Sequence, residues 1–350
     1  MDKSNKKIDI RSLSLNDLKN KLESLGEKPF RAKQIYEWLW EKSCTDFDEM
    51  SNLSKPLREM LKEGFCINSV KIQTSQLSED RTIKNAFQLY DSNIIEGVLI
   101  PTTERMTACV SSQVGCSLSC KFCATGYMDR KRNVNADEIY DQVVLINRQA
   151  EEKYKKPLTN IVYMGMGEPL LNYSNVLRSI DRITAPDGLN IASRRITVST
   201  AGIAKMIKKL GDDEVRFNLA LSLHAANDKK RNEIMPINEQ NTLEALAEAL
   251  KYYYAKTNNP VTYEYIVFND FNDELTDAAE LAAFCKHVPC KVNIIEYNPI
   301  SFANFKNADV DKVEVFAEFL RKKGINTYVR RSRGKDIDAA CGQLAVKEKA

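Results

Sequence analysis

The sequence predicts an α/β protein built around a partial, six-stranded (β/α)6 barrel of the TIM-like type. Between residues 106 and 323, six short apolar segments alternate with six segments of helical periodicity, a pattern that produces a parallel sheet. Polar residues also share one face of the predicted strand 217–224, namely Asn218, Ser222 and His224. Strands covered by helices on both faces are apolar on both, so this polar face indicates a ligand-holding lumen at the carboxyl ends of the strands.

The predicted units follow one another without a long interruption, each as a strand and then a helix. The strand and the helix of each unit are, in chain order, 106–111 and 136–152, 161–164 and 173–184, 196–199 and 202–210, 217–223 and 242–255, 261–267 and 275–287, and 292–296 and 310–323.

Three amphipathic helices are predicted before the barrel. The first is capped by Ser14 and stopped by Gly26, the second covers 30–42, and the third covers 53–61, entered through Ser51. We therefore expect a small helical accessory domain in 1–66, a strand-rich linker in 67–104 and the barrel in 105–350.

One strand of the linker carries an unexpected carboxylate. Alternation along 93–100 places Glu96 on the same face as Ile94, Val98 and Ile100. On the residues alone, Glu96 is either an edge-strand side chain that reaches water or a partly buried base with a raised pKa.

Composition limits the class of protein. Hydrophobic residues make up 43% and charged residues 28% of the 350 residues, which is ordinary for a globular protein. No segment approaches the roughly 20 apolar residues that span a bilayer, and Met1–Ser12 has no signal-like apolar core. We expect a cytoplasmic protein that does not bind membranes.

Charge gives a weaker signal. The net charge of +3 does not by itself indicate a nucleic-acid partner. Basic runs at 130–132, 229–231 and 330–335 are either solvated faces or phosphate-contacting patches.

The most specific motif is Cys116-x-x-x-Cys120-x-x-Cys123. Three thiolates at this spacing can hold three irons of a [4Fe-4S] cluster and leave the fourth iron open. The alternatives are a zinc site completed by His224 or His287 and a chance group of buried thiols. A disulfide scaffold is disfavoured, because nine cysteines in 350 residues are sparse and odd in number.

The next predicted strand ends in the segment Met164-Gly165-Met166-Gly167-Glu168-Pro169. Two glycines permit a close approach of ligand to backbone, and a carboxylate can pair with an ammonium group. Together with the cysteine motif, this segment resembles radical S-adenosylmethionine (SAM) enzymes, whose open iron chelates SAM.

Three further segments narrow the resemblance, and it extends over nearly the whole chain. The sequence is similar to the RlmN/Cfr family of radical SAM RNA adenine methyltransferases, and most similar to its RlmN branch. The segments that carry the similarity are 108–116, 222–225 and 331–344, together with 29–35 near the N-terminus.

The resemblance implies a role for each matching residue. Cys116, Cys120 and Cys123 would ligate the [4Fe-4S] cluster, Cys341 would carry the methyl group, Cys109 would resolve the adduct, and Glu96 would be the base. The implied SAM contacts are Gly167, Glu168, Ser199, Ser222, Leu223, His224 and Asn298.

The implied reaction uses two SAM molecules per turnover. Cys341 takes a methyl group from the first, and a 5′-deoxyadenosyl radical from the second removes a hydrogen from that methyl. The resulting radical adds to C2 of an adenine, Glu96 removes the C2 proton, and Cys109 releases the RNA by forming a disulfide with Cys341.

The resemblance also implies partners. They are 23S rRNA at adenosine 2503, tRNA at adenosine 37, and an external electron donor of the flavodoxin or ferredoxin type, acting on a monomer. The basic runs and the N-terminal helices become candidate RNA grips. The rival functions are methylation of adenine C8 and a non-catalytic zinc or redox-sensing RNA-binding protein. Asp129 departs from the family, which often has glycine there, and this puts fine contacts to SAM or RNA in doubt.

Overall fold

A computed structural model describes residues 7–345 and centres on a ten-stranded sheet. The neighbours in that sheet run in the order β14, β13, β12, β11, β10, β9, β6, β5, β4, β3. In chain order the strands are β1 Ile8–Asp9, β2 Phe65–Cys66, β3 Lys71–Leu77, β4 Ile83–Gln88, β5 Ile94–Pro101, β6 Met106–Cys109, β7 Gln113–Val114, β8 Arg132–Asn133, β9 Asn160–Tyr163, β10 Ile196–Thr200, β11 Asn218–Ser222, β12 Val261–Ile266, β13 Cys290–Ile295 and β14 Asn326–Arg330.

Helices cover the outer side of this sheet and form the N-terminal part of the chain. They are α1 Leu15–Ser24, α2 Arg31–Tyr36, α3 Lys55–Gly64, α4 Ala136–Tyr154, α5 Tyr173–Thr184, α6 Ala204–Asp212, α7 Asp228–Ile234, α8 Leu243–Thr257, α9 Leu275–Phe284 and α10 Val310–Lys322.

The predicted barrel is confirmed, and the sheet extends it at both edges. Strands β6 and β9 to β13 pair in parallel, in the order of the six predicted units. A seventh parallel strand, β14, was not predicted and pairs with β13. At the other edge β5, β4 and β3 continue the sheet in antiparallel fashion.

Two tyrosines of β12 identify the outer face of the sheet. Tyr263 packs on Phe284 of α9, and Tyr265 packs on Phe316 of α10. Because side chains alternate along a strand, Glu264 points to the opposite, inner face.

The N-terminal helices begin and end largely where the sequence predicts. Ser14 caps α1 in a capping box, and Gly26 lies in the left-handed region with φ of 81°. Helix α3 is capped by Ser54 and not entered through Ser51, because the Ser54 side chain accepts the N–H of Leu57.

A buried cation joins this N-terminal part to the barrel. Arg11 is 2% exposed and pairs with Asp141 of α4 at 2.7 Å and with Asp137 at 3.5 Å. Breaking a buried pair of this kind costs about 3–5 kcal/mol, so the two parts pack as one unit here.

Within residues 7–345, no helix combines the length and the apolar character that a membrane span requires. The first six residues of the Met1–Ser12 segment, from which the absence of a signal was predicted, lie outside the described residues.

Candidate active site

The three cysteines of the motif lie on a loop closed by the β7–β8 pair. Each of them is half-buried with a free thiol. They pack against a second, smaller apolar cluster that is separate from the main core. Its buried members are Leu118, Phe122, Ala201, Ile234, Met235, Ile266, Phe268 and Tyr297.

Burial makes these thiols poor acids in the absence of a metal. It raises the pKa of Cys116 to about 11 and also raises the pKa of Cys120 and Cys123. The charge of Cys123 raises the pKa of Cys116 and Cys120 further, so the three groups are mutual neighbours. A bound cationic cluster would stabilise the thiolates that this site otherwise disfavours.

No group of three or more Cys, His, Asp or Glu side chains in residues 7–345 is placed to hold a single metal ion. The cysteines of a [4Fe-4S] cluster bind different irons and must surround a volume. The free thiols and their apolar wall therefore fit a cluster as the group to be held.

The segment after β9 packs tightly against the segment after β6. A Cβ on Gly165 would lie 2.6 Å from the Ser111 hydroxyl, and one on Gly167 would lie 2.4 Å from Cβ of Gln113. The backbone N–H groups of Ser112 and Gln113 donate to the carbonyl of Met166. Glycine is therefore required at both positions by contacts within the chain. The sequence-based prediction had explained these glycines only by the close approach of a ligand.

Glu168 is 3% exposed and connects two loops. Its carboxylate accepts the N–H of Leu170 at 3.0 Å and the N–H of Ala201 at 2.8 Å. Burial raises its pKa, and the two N–H groups oppose that shift. Each carboxylate oxygen has a second lone pair, so an ammonium group can still be accepted.

Two predicted SAM contacts meet at the ends of neighbouring strands. The hydroxyls of Ser199 on β10 and Ser222 on β11 are 3.4 Å apart. The next residue, Leu223, is fully buried and is held through its backbone.

His224 is bonded by both its ring and its backbone. Its Nδ1 accepts the N–H of Ile266 at 3.2 Å, and its carbonyl accepts from Asn272 at 2.7 Å. Burial lowers its pKa to about 3, so the ring is neutral. The ring meets Phe122 edge-on with centroids 4.7 Å apart, so His224 supports the cysteine loop directly.

Arg231 was read from the sequence as part of a basic run, either a solvated face or an RNA grip, and that reading is wrong. The side chain is fully buried. Its guanidinium donates to the carbonyls of Ala201 at 2.5 Å, Ser222 at 3.3 Å and Leu223 at 3.0 Å. It thereby ties the strand ends that carry three predicted SAM contacts, and its charge opposes the rise in the pKa of Cys120.

The segment 331–345, here called the C-terminal arm, crosses the open side of the sheet. Near β14, Lys335 pairs with Glu296 at 2.6 Å. Near the opposite edge, Asp336 accepts from Ser78 at 2.5 Å, and Arg333 pairs with Asp80 at 3.0 Å. The arm therefore bridges the two edges of the sheet.

The last part of the arm lies on the cysteine loop. The N–H of Ala124 donates to the Gly342 carbonyl at 2.7 Å, and the Thr125 hydroxyl donates to the Leu344 carbonyl at 2.6 Å. Asn298, 2% exposed, donates to the Cys341 carbonyl at 3.1 Å, while its own Oδ1 is buried without a partner. That unpaired acceptor is a position where a ligand's donor would be accommodated.

Cys341 is exposed as a residue, and desolvation of its thiol by the surrounding residues raises the pKa to about 11. The charges of Glu264 and Cys123 add to that rise, and Arg330 opposes it. Cys109, at the end of β6, is 7% exposed, and burial together with the charge of Cys341 raises its pKa. The structure thus brings Cys109 and Cys341 together across more than 200 residues of sequence.

Glu96 is buried at 6% exposure and faces the same side as Cys109. It lies 3.4 Å from the Lys84 ammonium and accepts the N–H of Ala345 at 2.9 Å. Burial raises its pKa, and Lys84 opposes the shift. Of the two interpretations of Glu96 from the sequence, the edge-strand side chain that reaches water is wrong, because β5 is paired with β4 on one side and with β6 on the other.

Glu264 is a second buried carboxylate of the lumen, and it was not predicted from the sequence. It lies opposite Ser222 in the β11–β12 register. One of its oxygens accepts from Asn293 at 2.8 Å, and the other has no hydrogen-bond partner and lies 3.8 Å from Arg330. The alternation of Tyr263, Glu264 and Tyr265 was the available signal.

The three basic residues of the run 130–132 differ in whether their side chains are free to contact RNA. Arg132 is held by Asp91 at 2.6 Å and Glu138 at 2.7 Å, so it serves structure. Arg130 and Lys131 beside it are exposed.

Two family models match the chain. Residues 8–67 match the ribosomal RNA large subunit methyltransferase N-terminal domain, and residues 110–282 match the radical SAM superfamily.

Similar proteins cover almost the whole chain. A probable dual-specificity RNA methyltransferase RlmN from Cytophaga hutchinsonii is 63% identical over 98% of this chain and 94% of its own length. The protein of the same name from Bacillus velezensis is 42% identical over 97% of this chain and 93% of its own. The crystal structure of a radical SAM methyltransferase from Sphaerobacter thermophilus has a TM-score of 0.91 at 39% identity, covering 97% of this chain and all of that one.

Proposed function

The chain belongs to the RlmN family of radical SAM methyltransferases, and from that premise we propose that it methylates C2 of adenines in RNA. The proposed targets are adenosine 2503 of 23S rRNA and adenosine 37 of tRNA. Membership in the radical SAM superfamily implies a [4Fe-4S] cluster and SAM. When bound, these groups supply a methyl group and, after one-electron reduction, a hydrogen-abstracting 5′-deoxyadenosyl radical.

The observation that carries the proposal is the placement of Cys341. It lies within electrostatic reach of Cys123 on the cluster loop and of Cys109 on β6. A thiol placed between the proposed cluster and a second free thiol can receive a methyl group. The second thiol can then free it from the product by forming a disulfide with it.

The residues of the chain then divide the work. Cys341, as a thiolate, holds the transferred methyl group on sulfur and later the covalent link to the adenine. Glu96 accepts the proton that leaves C2, and the Lys84 ammonium 3.4 Å away opposes the rise in its pKa that burial causes. Cys109 attacks the Cys341 sulfur, the carbon–sulfur bond breaks, and its electron pair and a proton complete the methyl group on the RNA.

That release oxidises the two cysteines to a disulfide, so an external two-electron reductant must regenerate both thiols. We propose a flavodoxin or ferredoxin type of donor for the single electron that starts the radical step. Removal of the C2 proton leaves the adduct with one unpaired electron, and that electron returns to the oxidised cluster before Cys109 acts. The proposal also includes two SAM molecules per turnover, a monomeric enzyme, a cytoplasmic location and RNA contacts by 1–66.

The direct test uses anaerobically reconstituted enzyme with a 23S rRNA fragment and with tRNA. After nuclease digestion, mass spectrometry with authentic standards should find 2-methyladenosine in both RNAs. Finding 8-methyladenosine would support the rival C8 reaction, and tRNA without methyladenosine would remove the second substrate. If no methyladenosine formed in either RNA, the proposed function would be wrong.

A further inference from the structure

Two exposed aromatic rings stack on each other beside the cysteine loop. Tyr127 ends the short helical turn that follows Cys123, and Phe302 lies on the segment after β13. Their ring centroids are 5.1 Å apart with planes 24° from parallel. Tyr127 is 47% exposed and Phe302 is 61% exposed. Among the ring pairs formed by the described residues, this is the one in which both rings are exposed.

One ring of the pair is fixed by a hydrogen bond, and the other stacks on it. The Tyr127 hydroxyl donates to the Lys121 carbonyl at 3.1 Å, which fixes one ring on the cysteine loop. Phe302 follows Asn298 by four residues, and Asn298 holds the carbonyl of Cys341. The platform therefore lies between the cluster loop and the segment that positions the carrier cysteine.

The surrounding charges favour an anionic partner. Lys121, Arg130 and Lys131 are exposed on the same loop, against a single exposed carboxylate there, Asp129. An exposed π-face next to cations is the arrangement that binds single-stranded nucleic acid, in which a base stacks on the ring and a phosphate meets the cation.

We propose that Tyr127 and Phe302 form a stacking platform for an unpaired RNA base next to the target nucleotide. This inference rests on the proposed function, because C2 of an adenine can reach the carrier cysteine only after the base leaves its stack. The platform would hold a base flanking the target and keep the strand open at the entrance of the lumen.

The test measures RNA affinity of the reconstituted full-length enzyme by fluorescence anisotropy. The probe is an RNA hairpin with the target adenosine in its loop, titrated at several salt concentrations. We expect Phe302→Ala and Tyr127→Ala each to raise Kd about tenfold, with Phe302→Trp close to wild type. The salt dependence should stay unchanged, because no phosphate contact is removed. Tyr252→Ala is the matched control, since Tyr252 is an exposed tyrosine on α8.

Two results would overturn the platform. One is a Kd within twofold of wild type for both alanine variants. The other is a loss of affinity accompanied by a loss of Cys341 methylation in the absence of RNA, which would mean that the rings support the site itself.

Methylation of the same hairpin by wild type reports separately on the proposed function. Wild-type methylation with unaltered Kd values in the variants would overturn only the platform. RNA binding without methylation in wild type would overturn the proposed reaction, and the Kd comparison would still decide the platform.

Discussion

The two sets of cysteines at this site share one residue type but face different neighbours, although a buried cation, Arg231, is also within electrostatic reach of Cys120. Cys116, Cys120 and Cys123 lie against an apolar wall. Cys109 and Cys341 lie within reach of Arg330, and Cys341 also of Glu264. A cluster needs shielding from water, whereas a carrier must pass through thiolate, thioether and disulfide, whose charges differ. We infer that the residues around each set of cysteines match these different requirements.

The largest expected effect separates the sets by iron content. Cys120→Ser should lose the iron, the sulfide and the visible absorption of the reconstituted enzyme, because a hydroxyl is a poor iron ligand. Cys341→Ser should keep all three, and Cys290→Ser serves as a control outside both sets. Equal iron in Cys120→Ser and wild type would contradict the assignment of the triad.

The next effect concerns the resolving cysteine. With Cys109→Ala, less than one methylated RNA should be released per enzyme, and a covalent protein–RNA adduct should accumulate. Denaturing electrophoresis with labelled RNA detects this adduct. Release at the wild-type rate would remove Cys109 from the mechanism, whatever the iron content.

Arg231 tests whether the apolar side depends on one buried cation. Arg231→Met leaves carbonyls at three strand-end positions without their donor, so unfolding in denaturant should become easier by on the order of 3 kcal/mol. Arg231→Lys keeps the charge but has fewer donors, so its free energy of unfolding should lie between those of wild type and Arg231→Met. A cluster reduction potential that moves in Arg231→Met but not in Arg231→Lys would assign the effect to charge.

The smallest effect concerns the polar side. The charge of Glu264 raises the pKa of Cys341 and that of Arg330 lowers it. Glu264→Gln should therefore increase the thiolate fraction at any pH below about 11, where the pKa lies, and speed iodoacetamide alkylation of Cys341 severalfold. Arg330→Met should slow it. Identical rates in both variants would show that neither charge reaches the thiol.

The sequence predicted the architecture well because strand and helix periodicities are local properties. All six units could be predicted from strand and helix periodicity, and alternation placed Glu96 on the face of Ile94, Val98 and Ile100 but left open whether it was buried. Arg231 could not, because burial of a cation inside a basic run depends on three carbonyls from other elements.

The course of the C-terminal arm was equally inaccessible from sequence. Its placement arises from contacts such as Ser78 with Asp336, which are 258 residues apart. The structure shows the arm fastened at both edges of the sheet. Strand β14 was missed because its alternation merges into the basic run that follows it.

The most direct test of the carrier role uses SAM with a fully deuterated methyl group. A methyl group held on Cys341 loses one deuterium to the radical and gains one solvent hydrogen on release, so the product methyladenosine should retain two deuteriums. Mass spectrometry of the digested RNA gives the count. Retention of all three deuteriums would show direct transfer from SAM, and Cys341 would then not be the carrier.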